Sequence, residues 1–104
     1  MGVKPLAIQW AGPAEDSLDR LLSWIEAENP AAARKLWSRV MAGVEQASRY
    51  PELAPHIPDL GRAYREILAV RPFRVIYRVE GGVLRVTAVM RPEQDFDPQR
   101  FLKD

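Results

Sequence analysis

Phe73, Val75, Tyr77 and Val79 alternate with Arg74, Ile76 and Arg78; beyond Gly81-Gly82, Leu84, Val86, Ala88 and Met90 alternate with Arg85, Thr87 and Val89. A period of two is a strand pattern. Two adjacent glycines readily supply the positive φ angles of a two-residue hairpin turn. That turn predicts pairs Val79–Leu84, Tyr77–Val86, Val75–Ala88 and Phe73–Met90 on a core face. It puts Arg78 opposite Arg85, Ile76 opposite Thr87 and Arg74 opposite Val89 on the reverse. A three-residue turn would bring Arg85 beside Tyr77 on the buried side, so the pattern selects the shorter turn. Like charges directly opposed cost stability. The arginine face is therefore expected to stay open for something anionic.

Upstream, Leu6, Ile8 and Trp10 alternate with Ala7 and Gln9, which predicts a short first strand. Ala11-Gly12-Pro13 breaks it, and a helix is expected from about Pro13 or Ala14, with Leu18, Leu21, Leu22 and Ile25 as its apolar stripe. Asn29-Pro30 ends that helix and starts another: Asn is a good N-cap, and proline is tolerated at the first helical position. The second helix is predicted over Pro30 to Arg49, with Ala33, Leu36, Trp37, Val40, Met41, Val44 and Ala47 inward. Trp24 and Trp37 either extend this core or sit at a partner surface. YPELAPHIPDLG, from Tyr50 to Gly61, reads as a proline-rich loop. Tyr64 to Val70 is expected as the next strand.

These elements give an α+β fold: an N-terminal strand, an αα-hairpin, then a three-stranded antiparallel meander. The helices cover one face of a small, mostly antiparallel sheet, because each apolar stripe needs a partner. The whole chain, residues 1–104, is expected as a single domain, with residues 93–104 as a tail anchored by Phe96, Phe101 and Leu102.

Charge sharpens this picture. The chain totals +1, but from Arg62 to Arg91 it carries seven arginines (62, 65, 71, 74, 78, 85, 91) against Glu66 and Glu80. Arginine's planar fork suits phosphate and carboxylate, and such a patch attracts anions. The absence of cysteine excludes disulfides and thiol chemistry and fits a reducing cytoplasm. No apolar run reaches the length of a membrane span, and MGVKPLAIQW lacks the order of a secretory signal, so neither membrane insertion nor export is expected.

Taken in order, Trp10 before a helix, Asn29-Pro30-Ala31-Ala32-Ala33, Tyr50-Pro51-Glu52-Leu53, Leu60-Gly61-Arg62, Arg65-Glu66-Ile67 and Arg74-Val75-Ile76-Tyr77-Arg78 resemble the RelE/ParE superfamily of type II toxins, of plasmid-stabilisation type. The resemblance spans about residues 6–95. It implies a small cytoplasmic toxin, neutralised by a cognate antitoxin in a hetero-oligomer and needing no cofactor or metal. RelE-like members cleave mRNA on the ribosome; ParE-like members inhibit DNA gyrase.

For RNA cleavage the resemblance places Arg74 at the scissile phosphate, with Arg65 and Arg91 as neighbours on adjacent strands. Arg78, Arg85 and Arg62 would hold flanking phosphates or a partner. The acid–base set is thin, because arginine does not readily exchange protons near neutral pH. Glu66 and Glu93 are the available carboxylates, and the last strand ends Met90-Arg91 with neither His nor Tyr. Tyr77 falls on the core face. His56 lies in the proline-rich loop without a supporting motif. Asp95 and Asp97 read as a tail turn rather than metal ligands. The residues therefore lean toward a ParE-like toxin that blocks DNA gyrase. A RelE-like mRNA endonuclease and a non-toxic binding module of the same fold are the alternatives.

Overall fold

The computed structural model describes residues 4–94. Four strands, β1 (Ala7–Trp10), β2 (Arg65–Glu66), β3 (Arg74–Glu80) and β4 (Val83–Met90), form one sheet in the order β1-β4-β3-β2. β1 runs parallel to β4 and the other pairs are antiparallel. Two helices, α1 (Gly12–Glu28) and α2 (Pro30–Arg49), form the expected hairpin. Asn29 caps α2 by accepting the Ala32 N–H at 3.1 Å. Ala14, Leu18 and Leu21 of α1, with Leu36, Val40 and Val44 of α2, pack on Val75, Tyr77, Leu84, Val86 and Val89 of the sheet. The expected α+β layout therefore stands, with helices on one face. The expected tail anchors Phe96, Phe101 and Leu102 lie outside the described residues.

The Gly81-Gly82 turn forms as expected, with φ of 58° and 77°. Val79–Leu84, Arg78–Arg85 and Tyr77–Val86 pair as predicted. Below them the register shifts. Thr87 is an extra residue on β4, so Ile76 pairs with Ala88, Val75 with Val89 and Arg74 with Met90. The Thr87 hydroxyl donates to the Ile76 carbonyl at 3.1 Å, a local side-chain bond that supports this bulge. The bulge exchanges faces: Val89 turns into the core, while Ala88 and Met90 turn outward. Val79 keeps its side but is exposed near the turn.

Two further expectations change. The outer face is not fully open. Ile76 is completely buried there beneath Ile57 and Leu60, with Tyr64, Ala88 and Met90 around them. The 55–64 segment is held as a roof by Ile57 N–H to Tyr64 O at 3.2 Å and Glu66 N–H to Pro55 O at 3.1 Å.

The strand expected over Tyr64 to Val70 is only Arg65–Glu66, followed by a 3-10 turn at Leu68–Val70. This bend drives Ile67 and Val70 into the core against α2, where Gly43 leaves them room. Its carbonyls find partners outside the sheet: Leu68 O accepts from Arg71 N–H and Val70 O from Phe73 N–H, both at 3.1 Å. Arg39 of α2 donates to Ala69 O and Arg71 O, each at 2.9 Å. Carbonyls so satisfied have no need of a strand neighbour.

Candidate partner-binding face

Alternation along β3 and the pairing with β4 set Arg74, Arg78 and Arg85 on the outer face, away from both helices. They are not equivalent. Arg74 makes a bidentate pair with Glu66, Nη2 to Oε1 at 2.8 Å and Nε to Oε2 at 3.2 Å. Glu66 sits opposite Ile76, one diagonal step from Arg74. Its side chain is 8% exposed and that of Arg74 28%, so the carboxylate is buried and the arginine side chain partly exposed. Arg78 ion-pairs with Glu80 and stacks over the Tyr64 ring, 5.7 Å from its centroid. Arg78 also donates to the Tyr64 hydroxyl at 3.4 Å, and its buried Nε–H has no acceptor among the described residues. Arg85 is exposed and makes no ion pair among the described residues.

The other arginines do not share the outer face of β3 and β4, although Arg62 and Arg65 line a cleft with Arg78 at its border. Arg65 pairs with Tyr77, which puts it on the helix side of the sheet. There it donates to Glu52 O at 3.1 Å and Ala54 O at 2.6 Å, stitching the loop to β2. Arg91 has the same parity as Val89 on β4. It lines a recess with Ser17, Arg20 and Trp24 of α1 and pairs with Glu93 at 3.4 Å. Arg62 lies in the roof, in a cleft with Pro51, Glu52, Arg65 and Arg78. Arg65 and Arg91 are thus separated from Arg74 by the sheet, contrary to the expected neighbourhood. The bulge leaves Arg91 on the helix side, and the pairing with Tyr77 leaves Arg65 there.

Tyr77 is fully buried and donates to Pro51 O at 2.7 Å. Burial raises its hydroxyl pKa above the ordinary 10.0, against a smaller lowering by the Arg65 charge. This is the packing role expected of it. His56 is exposed and pairs across from Arg65, on the side away from Arg74. Asp95 and Asp97 lie outside the described residues, and among those described no group of three or more His, Asp or Glu could hold a metal ion.

Sequence reasoning missed that Glu66 holds Arg74, that Tyr64 supports Arg78, and that Arg39 caps the bend. The first was within reach, since Glu66 shares the outer parity of Ile76. The other two depend on how the loop and α2 dock.

The sequence model of the ParE toxin of type II toxin–antitoxin systems, parDE, matches residues 8–96. The chain belongs to the ParE toxin family. No curated protein sequence matches it. Among solved structures, a chain of the chromosomal ParDE TA system from P. aeruginosa superposes with a TM-score of 0.70 at 20% identity, over 85% of this chain and 97% of that one. The YoeB dimer from Staphylococcus aureus superposes at 0.52 with 9% identity, over 85% of this chain and 98% of that one. At such identities the likeness shows the shared fold. For this ParE-family toxin the family match takes in all four strands and both helices.

Proposed function

We propose that this ParE-family toxin arrests growth by binding DNA gyrase in the cytoplasm. A cognate antitoxin neutralises it in a toxin–antitoxin hetero-oligomer. The observation that carries this reading is the ParE family match over residues 8–96. The outer face supports it chemically. Arg74 and Arg78 are held in place by Glu66, Glu80 and Tyr64, and guanidinium groups bind anions without exchanging protons. No helix among the described residues is long and apolar enough to cross a membrane. The test is DNA supercoiling by purified gyrase with added toxin. Inhibition that the antitoxin reverses supports the reading; gyrase untouched at saturating toxin removes the target.

A second reading, mRNA cleavage on the ribosome, draws on one feature: the partly exposed Arg74 side chain lies against the Glu66 carboxylate. A guanidinium can neutralise phosphoryl oxygens while a carboxylate accepts the 2′-hydroxyl proton. Codon-phased cuts lost in Arg74→Lys would favour it. Harmless overexpression without antitoxin would favour a non-toxic binding module instead.

A further inference from the structure

We propose that the cleft where Arg78 and Arg85 meet the first turn of α1 is a single-carboxylate site, taking one Asp or Glu side chain from an acidic protein segment. This deepens the reading above, on which that segment belongs to the antitoxin.

Charge supplies the first reason. Arg78 and Arg85 are directly opposed across β3 and β4, an arrangement that costs stability unless an anion sits between them. Of the three outer-face arginines, Arg74 is matched by Glu66 and Arg78 by Glu80. Arg85 alone of these three has no carboxylate partner among the described residues. Among the described residues Arg85 is thus the uncompensated guanidinium of this opposed pair, which suits a carboxylate.

Shape supplies the second. Arg78, Arg85, Tyr64 and Thr87 line a cleft whose remaining wall is apolar, from Ala11, Pro13 and Ala88. A glutamate's methylenes suit that wall while its carboxylate meets the guanidinium groups. α1 is 17 residues long and begins here without a side-chain cap, so its positive end adds to the field.

Arg78 itself supplies the third. Glu80 already delivers a carboxylate to one of its terminal nitrogens, and the Glu80 side chain is 65% exposed, so exchanging it for another carboxylate costs little. The Arg78 Nε–H meanwhile lacks an acceptor among the described residues. Tyr64 holds the guanidinium plane beneath it.

The test is an NMR titration of the isotope-labelled full chain with a short, end-blocked alanine peptide carrying one central glutamate. The Arg78 and Arg85 Nε–H signals and the Ala11 and Thr87 amides should shift together. Arg85→Gln, an exposed change whose remaining spectrum reports folding, should weaken binding about tenfold. Arg78→Gln serves if that variant does not fold. A peptide with glutamine in place of glutamate should be silent. The proposal is overturned by absent shifts, by equal shifts with the glutamine peptide, or by unchanged binding in the variants. Tighter binding of inorganic phosphate or a short RNA overturns it too. Gyrase is not read in this titration, so the target assignment stands or falls separately.

Discussion

Arg74 on β3 reaches across to β2 to clasp Glu66 with two hydrogen bonds, 2.8 and 3.2 Å long, and the two partners differ sharply in burial. Removing the guanidinium strands a buried carboxylate, whereas neutralising the carboxylate leaves the charge on a side chain that is less buried. We expect Arg74→Ala to cost about 3 kcal/mol and Glu66→Gln only about 1 kcal/mol. Urea denaturation of the two variants checks this order, and the reverse order contradicts it. Arg74→Lys is accordingly the safer variant for any functional assay.

Arg65 has a different job. Its bonds to Glu52 O and Ala54 O tie the proline-rich loop to β2. Arg65→Ala should lower stability by about 1–3 kcal/mol, seen as a lower urea midpoint. Once corrected for the folded fraction, its toxin activity should match the parent. A loss of activity at full stability would return Arg65 to the functional face.

The fold was legible where the pattern is local. Asn29-Pro30 marked the helix break, and Gly81-Gly82 fixed the upper half of the hairpin. Below Tyr77 the alternation Thr87, Ala88, Val89 fits either register, because Ala88 and Val89 are both apolar. The deciding contact is the Thr87 hydroxyl on the Ile76 carbonyl. Ile76 itself, apolar between two arginines, was a sign that something covers that side; Ile57 and Leu60 do so from a distant loop. Of the candidate site, the shared face of Arg74, Arg78 and Arg85 followed from parity near the turn. Arg91 was misplaced because the Thr87 bulge shifts its register, and Arg65 because β2 pairs it with the core-facing Tyr77.

Tyr77 gives the molecule an alkaline limit. Its folded-state pKa lies above 10.0, chiefly through burial. The unfolded chain therefore loses this proton first. The associated stability is fully present below pH 10.0 and is lost as pH rises through the folded value. Tyr77→Phe should cost about 1 kcal/mol at neutral pH by orphaning Pro51 O, and should flatten the fall in stability above pH 10.0. Thermal melts across that range check both; an equally steep fall in the variant contradicts the assignment.

Gly43 on α2 faces the bend. A Cβ there would lie 2.8 Å from Ile67 Cγ2, inside the core. Alanine gains up to about 1 kcal/mol of helix propensity, but overpacking typically costs about 1–3 kcal/mol. Gly43→Ala should therefore be net destabilising, with the denaturation midpoint lowered. A raised midpoint would mean that the Ile67–Val70 segment yields readily.

The central claim is that this ParE-family toxin works by occupying gyrase. The most direct measurement is the fraction of relaxed plasmid that purified gyrase converts to supercoiled form as toxin is titrated in, with and without prior mixing with antitoxin. A gyrase-blocking toxin should give a dose-dependent loss of supercoiling that antitoxin restores, with ribosome-bound mRNA left intact. Full supercoiling at saturating toxin, together with codon-phased mRNA cuts, would contradict it.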